Sequence, residues 1–193
     1  MSEVRQPEFR DVAGVYRVCF ETADPQPEQN PDLVGHVYAG PYVLRHPEFA
    51  RIVTDDLGVS GYVLGCPDTR DFEAWCAANW WPALREQYPL GSGLPVDAEM
   101  IALLHSPPRS PDSVVAEYPA HLHIDLLPRT QGHGYGRTLI DWLCSTLAAA
   151  GSPGVHLGVG ADNANAIAFY GHLGFETLQA EPGVVWMGKR LAT

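Results

Sequence analysis

The stretch from His121 to Ala150 constrains this chain more than any other. His121-Leu122-His123-Ile124-Asp125-Leu126-Leu127 alternates polar and apolar residues and stops at Pro128, which reads as a strand. Gln131-Gly132-His133-Gly134-Tyr135-Gly136 follows, and Leu139, Ile140, Trp142, Leu143 and Leu147 then recur at helical spacing. A strand feeding a helix through closely spaced glycines suits a phosphate group. Glycine permits positive φ and close backbone approach, and the free N–H groups at a helix start attract anions. Two nucleotide readings fail in detail. A P-loop needs Gly-Lys-Ser/Thr, whereas Arg137-Thr138 follows Gly136. A dinucleotide fingerprint spaces its glycines Gly-x-Gly-x-x-Gly, whereas here three glycines occupy alternate positions late in the chain.

The remaining pattern is α/β. A strand is predicted over Glu3 to Gln6 and a helix from about Glu8 to Glu21, where Val12, Val15, Tyr16 and Cys19 share a face. Pro31 is placed to open a short helix through Leu33, Val34 and Val37. Arg51–Thr54 and Ser60–Leu64 flank Asp55-Asp56-Leu57-Gly58 as a hairpin. Phe72 to Tyr88 has helical period, with a break or kink expected at Pro82. Asp97 to His105 is read as a further short helix, and the three prolines between Ser106 and Pro111 as a loop. Val155–Val159 reads as a strand, Asn163 to Leu173 as a helix ended by Gly174, and Phe175–Leu178 and Val184–Met187 as closing strands. Strands and helices alternating after a meander predict an α/β three-layer domain.

Composition narrows the function classes. The 193 residues suit one domain, here 1–193 with a helical insertion at about 68–112. The net charge of −11 argues against a nucleic-acid partner, because phosphate binding needs a basic face. No apolar run reaches membrane-spanning length, and Met1-Ser2-Glu3-Val4-Arg5 has no signal-peptide character, so a cytoplasmic protein is expected. Cys19, Cys66, Cys76 and Cys144 are scattered without a Cys-x-x-Cys pair, as buried thiols would be.

The glycine loop resembles the Gln/Arg-x-x-Gly-x-Gly/Ala motif of GNAT N-acetyltransferases. Asp125-Leu126-Leu127-Pro128 is similar to that family's fourth strand. Asn163 to Phe175, with Ala166, Tyr170, Gly174 and Phe175 in place, resembles its Asn-x-x-Ala-x-x-x-Tyr-x-x-x-Gly-Phe segment. Asn30–Gly35, Gly61–Gly65 and Trp75 through Tyr88 narrow the resemblance to the acetyltransferase-like C-terminal domain of O-GlcNAcase, of which this chain looks like a stand-alone bacterial relative. The animal domain has lost the glycine loop and is regarded as a pseudo-acetyltransferase; this sequence keeps it.

The resemblance implies a mixed central sheet flanked by helices and an acetyl-CoA cosubstrate. Leu126 and Leu127 would offer backbone groups to the pantetheine arm and the acetyl carbonyl. Gln131, Gly132, His133, Gly134, Tyr135 and Gly136, with Arg137 and Thr138, would hold the pyrophosphate. Asn163 corresponds to the asparagine that bonds the pantetheine, although helix capping explains it equally well. Tyr170 matches the tyrosine that protonates the departing thiolate. Asp125 is the leading candidate for the base, and His121 and His123, on the same strand face, and Glu117 are further ones. A His-x-His pair without a third ligand gives no metal site. No cysteine has a nucleophile's surroundings, so acetyl would pass directly to an amine acceptor of unnamed identity. The rival reading is a non-catalytic acetyl-CoA-binding module. Trp75, Trp80, Trp81, Tyr38 and Tyr42 are expected in core packing or at a homodimer contact, with an acceptor pocket as the other role.

Overall fold

The computed structural model describes residues 2–192. Seven strands form one mixed sheet in the order β1-β2-β3-β4-β5-β7-β6: β1 (Glu3–Arg5), β2 (Ala50–Asp55), β3 (Gly58–Cys66), β4 (Ala120–Leu126), β5 (Gly154–Gly160), β6 (Glu176–Glu181) and β7 (Val184–Arg190). Neighbours are antiparallel except β4 and β5. The hairpin falls where Asp55–Gly58 requires it, and Gly58 adopts φ +102°.

Period-two alternation divides the side chains between two cores. Ile52, Tyr62 and Leu64 point to one face, packed by α1 (Val12–Thr22), α2 (Pro31–Tyr38), α3 (Gly40–Arg45), α4 (Thr69–Asn79), α5 (Trp81–Gln87) and α6 (Ala98–His105). Val53, Val63, Leu122 and Leu157 point to the other face, where α8 (Tyr135–Ala149) buries Leu139, Ile140, Leu143 and Leu147. A single turn, α7 (Asp112–Val115), precedes β4, and α9 (Ala164–His172) joins β5 to β6 beside α8. The result is the expected three-layer arrangement.

Pro82 divides the aromatic helix region in two. It sits at the start of α5, where its missing N–H costs nothing, and the Trp80 N–H closes α4 on the Cys76 carbonyl. Trp81 is buried, while Trp75 and Trp80 pack partly buried on the same core, and the Trp80 indole donates to the His36 carbonyl at 2.8 Å. The four cysteines are buried free thiols. Among the described residues, no helix is long and apolar enough to cross a membrane.

Candidate active site

The sheet opens at its centre. β4 is paired with β3 along its length, from Cys66↔His121 to Gly61↔Leu126, but it meets β5 only at Ala120↔Val155 and His121↔His156. Beyond His121 the two parallel strands part. The Leu127 N–H donates to Ser60 at 2.9 Å, so ladder alternation turns the Leu126 and Ile124 N–H groups away from β3, towards the gap. Of the two leucines singled out in the sequence, only Leu126 therefore offers a donor there. The Leu127 carbonyl accepts from Thr130 and Gln131, and the Leu126 carbonyl accepts from the Gln131 side chain at 2.8 Å.

The glycine loop stands at the mouth of this gap. Gly132 and Gly134 have φ of +77° and +84°, conformations closed to most L-residues, and a Cβ on either would meet nothing within 4 Å. The space around both positions is therefore open. Gly136 differs: it is buried, and a Cβ there would lie 2.9 Å from the tip of the Phe169 ring of α9. The first rung of α8 is Thr138 N–H to Gly134 C=O at 3.1 Å. The Tyr135, Gly136 and Arg137 N–H groups thus precede the helical ladder, at its positive end. His133 folds back on the Gln131 carbonyl at 2.7 Å, and Arg137 and Thr138 lie exposed on the first turn.

Asn163 caps α9, its side chain accepting from Ala166 N–H at 3.0 Å. Two turns on, Tyr170 packs against Phe169 and Phe175. No described group hydrogen-bonds its hydroxyl. Burial raises its pKa, and the Asp125 carboxylate raises it further. The two residues project from opposite faces of the sheet, so this coupling acts across the parted strands.

His121, His123 and Asp125 share the face of β4 under α1 to α4, as the strand period required. Asp125 accepts from the Tyr62 hydroxyl, presented by β3 directly opposite. Burial raises the Asp125 pKa, while the Tyr62 and Thr22 hydroxyls oppose that shift. Tyr42 links the two histidines, 2.6 Å from His121 Nε2 and 3.0 Å from His123 Nε2. The single hydroxyl proton of Thr69 orients this chain of bonds, with Cys66 Sγ as a second neighbour 3.1 Å from His121 Nδ1. The Thr69 hydroxyl donates to the Pro119 carbonyl at 2.6 Å, so at 2.8 Å it accepts from His121 Nδ1–H. Burial holds His121 neutral, which leaves its Nε2 to accept from Tyr42 O–H. The Tyr42 oxygen then accepts from His123 Nε2–H, leaving a lone pair on His123 Nδ1. Burial pushes the His123 pKa down to about 4, and His156 adds to the shift.

Two cavities meet at this point, with Tyr38 and His123 lining both. One, of about 340 Å³, reaches Asp125 beneath α1 and α6. The other, of about 610 Å³, runs over β5 and β7 beneath α4 and α5. Glu117 is not part of this assembly; it pairs with Arg190 beyond the other end of β4. Tyr62 and Tyr42 were not singled out as partners of Asp125 and the histidines. Strand alternation gives a residue's face, whereas the opposing residue depends on register, and Tyr42 is separated from His121 by 79 positions.

The sequence model of the acetyltransferase (GNAT) family matches residues 61–175, which spans most of β3, then β4, the glycine loop, α8 and the Asn163–Phe175 segment. The chain belongs to the GNAT acetyltransferase family. The crystal structure of SsHAT superposes with a TM-score of 0.90 at 39% identity, covering 100% of this chain and 99% of that one. Protein O-GlcNAcase of Rattus norvegicus is 28% identical over 94% of this chain, which spans 21% of that relative's length. The structure of yncA, a putative acetyltransferase from Salmonella typhimurium with its cofactor acetyl-CoA, shares the fold, with a TM-score of 0.58 and 14% identity, covering 99% of this chain and 94% of that one.

Proposed function

We propose that this GNAT chain is an acetyl-CoA-dependent N-acetyltransferase that passes acetyl directly from the thioester to an amine. The observation that carries the reading is the parting of β4 and β5 beyond His121, with the glycine cradle and the start of α8 at its mouth. A long, thin ligand ending in a pyrophosphate fits that shape. The Gly132 to Arg137 backbone would hold the diphosphate, assisted by Arg137 and Thr138, and Asn163, whose amide N–H₂ is not used in capping, would bond the pantetheine arm. Acetyl-CoA supplies an acetyl group activated as a thioester.

The chain's own groups then serve three tasks. The Leu126 N–H, facing the gap, stabilises the charge that develops on the carbonyl oxygen as the C–N bond forms. Asp125 takes a proton from the amine, whose neutral form is the nucleophile, and its raised pKa improves it as a base. Tyr170 gives its hydroxyl proton to the sulfur as the C–S bond breaks, and that proton is later replaced from solvent. The products are an N-acetylated amine and free thiol, with one net proton released when the acceptor enters as an ammonium ion.

Titration of acetyl-CoA into the purified protein, followed calorimetrically, tests the foundation. Binding without added metal is expected, along with a rise in melting temperature at millimolar ligand. An unchanged melting temperature and no heat of binding would sink the reading.

A further inference from the structure

The cavity of about 610 Å³ lies against the sheet face opposite α8 and α9, and its lining is selective. Tyr38, Tyr42, Phe72, Trp81, Trp186 and His123 give it a largely aromatic surface. Burial keeps His121, His123 and His156 neutral at pH 7, so none presents a cation. One carboxylate, Glu73, reaches the cavity, and it is already occupied: Arg70 donates to both its oxygens at 2.8 and 2.7 Å, and Arg109 lies 3.8 Å away. Arg85 and Arg109 belong to the same lining.

Building on the acetyl-transfer reading, we propose that this cavity is the acceptor pocket and takes a monoamine carried on an aromatic body. Aromatic rings attract a single ammonium by their faces and bury a flat apolar body edge to face. Within this cavity a polyamine would bring a second cation towards Arg85 and Arg109 without a free carboxylate to receive it, since Asp24, Glu99 and Asp125 line only the adjoining one. A lysine-bearing peptide would in addition have to continue past α4, α5 and the Pro107–Ser110 segment that wall the cavity. The oriented bond chain through Tyr42 supplies the polar contact. It leaves His123 Nδ1 as an acceptor for the amine N–H, and because His123 lines both cavities, an amine held there lies at the junction with the cavity that reaches Asp125.

The test compares phenethylamine, spermidine and a lysine-containing peptide as acceptors, following thiol release. It also titrates phenethylamine into protein saturated with coenzyme A. The expected kcat/KM for phenethylamine is at least tenfold above the other two. Ala77→Trp, at an exposed position of α4 that lines the cavity, should raise the phenethylamine Kd at least tenfold and leave the acetyl-CoA Kd unchanged. Failure of the wild type to bind acetyl-CoA would strike the functional reading itself. Retained acetyl-CoA binding overturns the pocket assignment alone if phenethylamine is not preferred, does not bind, or is indifferent to Ala77→Trp.

Discussion

Tyr170 and Asp125 carry separable predictions because they are held differently. The Tyr170 ring packs between Phe169 and Phe175, and its hydroxyl makes no bond within the described residues, so Tyr170→Phe should leave fold and acetyl-CoA affinity intact. Turnover should fall by roughly 10²-fold or more, the usual loss for a positioned acid; equal turnover would make Tyr170 a packing residue. Asp125 is half-buried, and that desolvation disfavours its charged form. Its folded pKa lies above its unfolded value, so wild-type stability declines as pH rises from the ordinary carboxylate range through that raised pKa. Asp125→Asn, which still accepts from Tyr62, should lower turnover yet melt progressively higher relative to wild type as pH rises through that window. Thermal unfolding across pH 4 to 8 reads this directly, and a difference that shrinks with rising pH contradicts it.

At the scale of elements, the loop and α8 separate two uses of glycine. Gly134 has φ +84° and open space about it, so Gly134→Val costs backbone strain of about 1–2 kcal/mol without a clash. The added side chain would occupy the ligand's space, and acetyl-CoA binding should be lost while the folded protein persists; unchanged affinity would place the diphosphate elsewhere. Gly136 is buried against the tip of the Phe169 ring, so Gly136→Val should displace that ring, which adjoins Tyr170. That variant is expected to lose both stability and turnover, measured by denaturant unfolding and thiol release. The loop, both helices and the alternating face of β4 were legible in the sequence, because each depends on local spacing. Tyr62 opposite Asp125 and Tyr42 between the histidines were not, because register and a contact 79 positions apart leave no local trace.

For the whole molecule, three histidines withdrawn from solvent dominate the acid response, His156 buried and His121 and His123 half-buried. His121, His123 and His156 all have pKa values lowered by burial, so below pH 6.5 the unfolded chain binds protons that the folded chain refuses. Stability should fall as pH drops from about 6.5 to 4. His123 alone, at about 4, accounts for roughly 3 kcal/mol by the lower limit, taking about 1.4 kcal/mol per pH unit. Asp125 acts in the opposite sense over part of this range and blunts the loss. Unfolding midpoints measured across the window should be recovered in part by His123→Gln, which can still donate to Tyr42. A flat profile in the wild type would mean that the histidines are solvated.

Local chemistry in the sequence determined the three-layer class, the glycine loop and the start of α8, since these follow from residue spacing along short segments, and its motifs carried the resemblance to the family. Tertiary structure alone decided that β4 and β5 separate after two paired residues, that the Leu127 N–H is committed to Ser60 while the Leu126 N–H faces the gap, and that α4 and α5 enclose an aromatic cavity. Those features depend on how distant segments pack across the sheet, and packing is a property of surfaces brought together by the fold rather than of any stretch of chain.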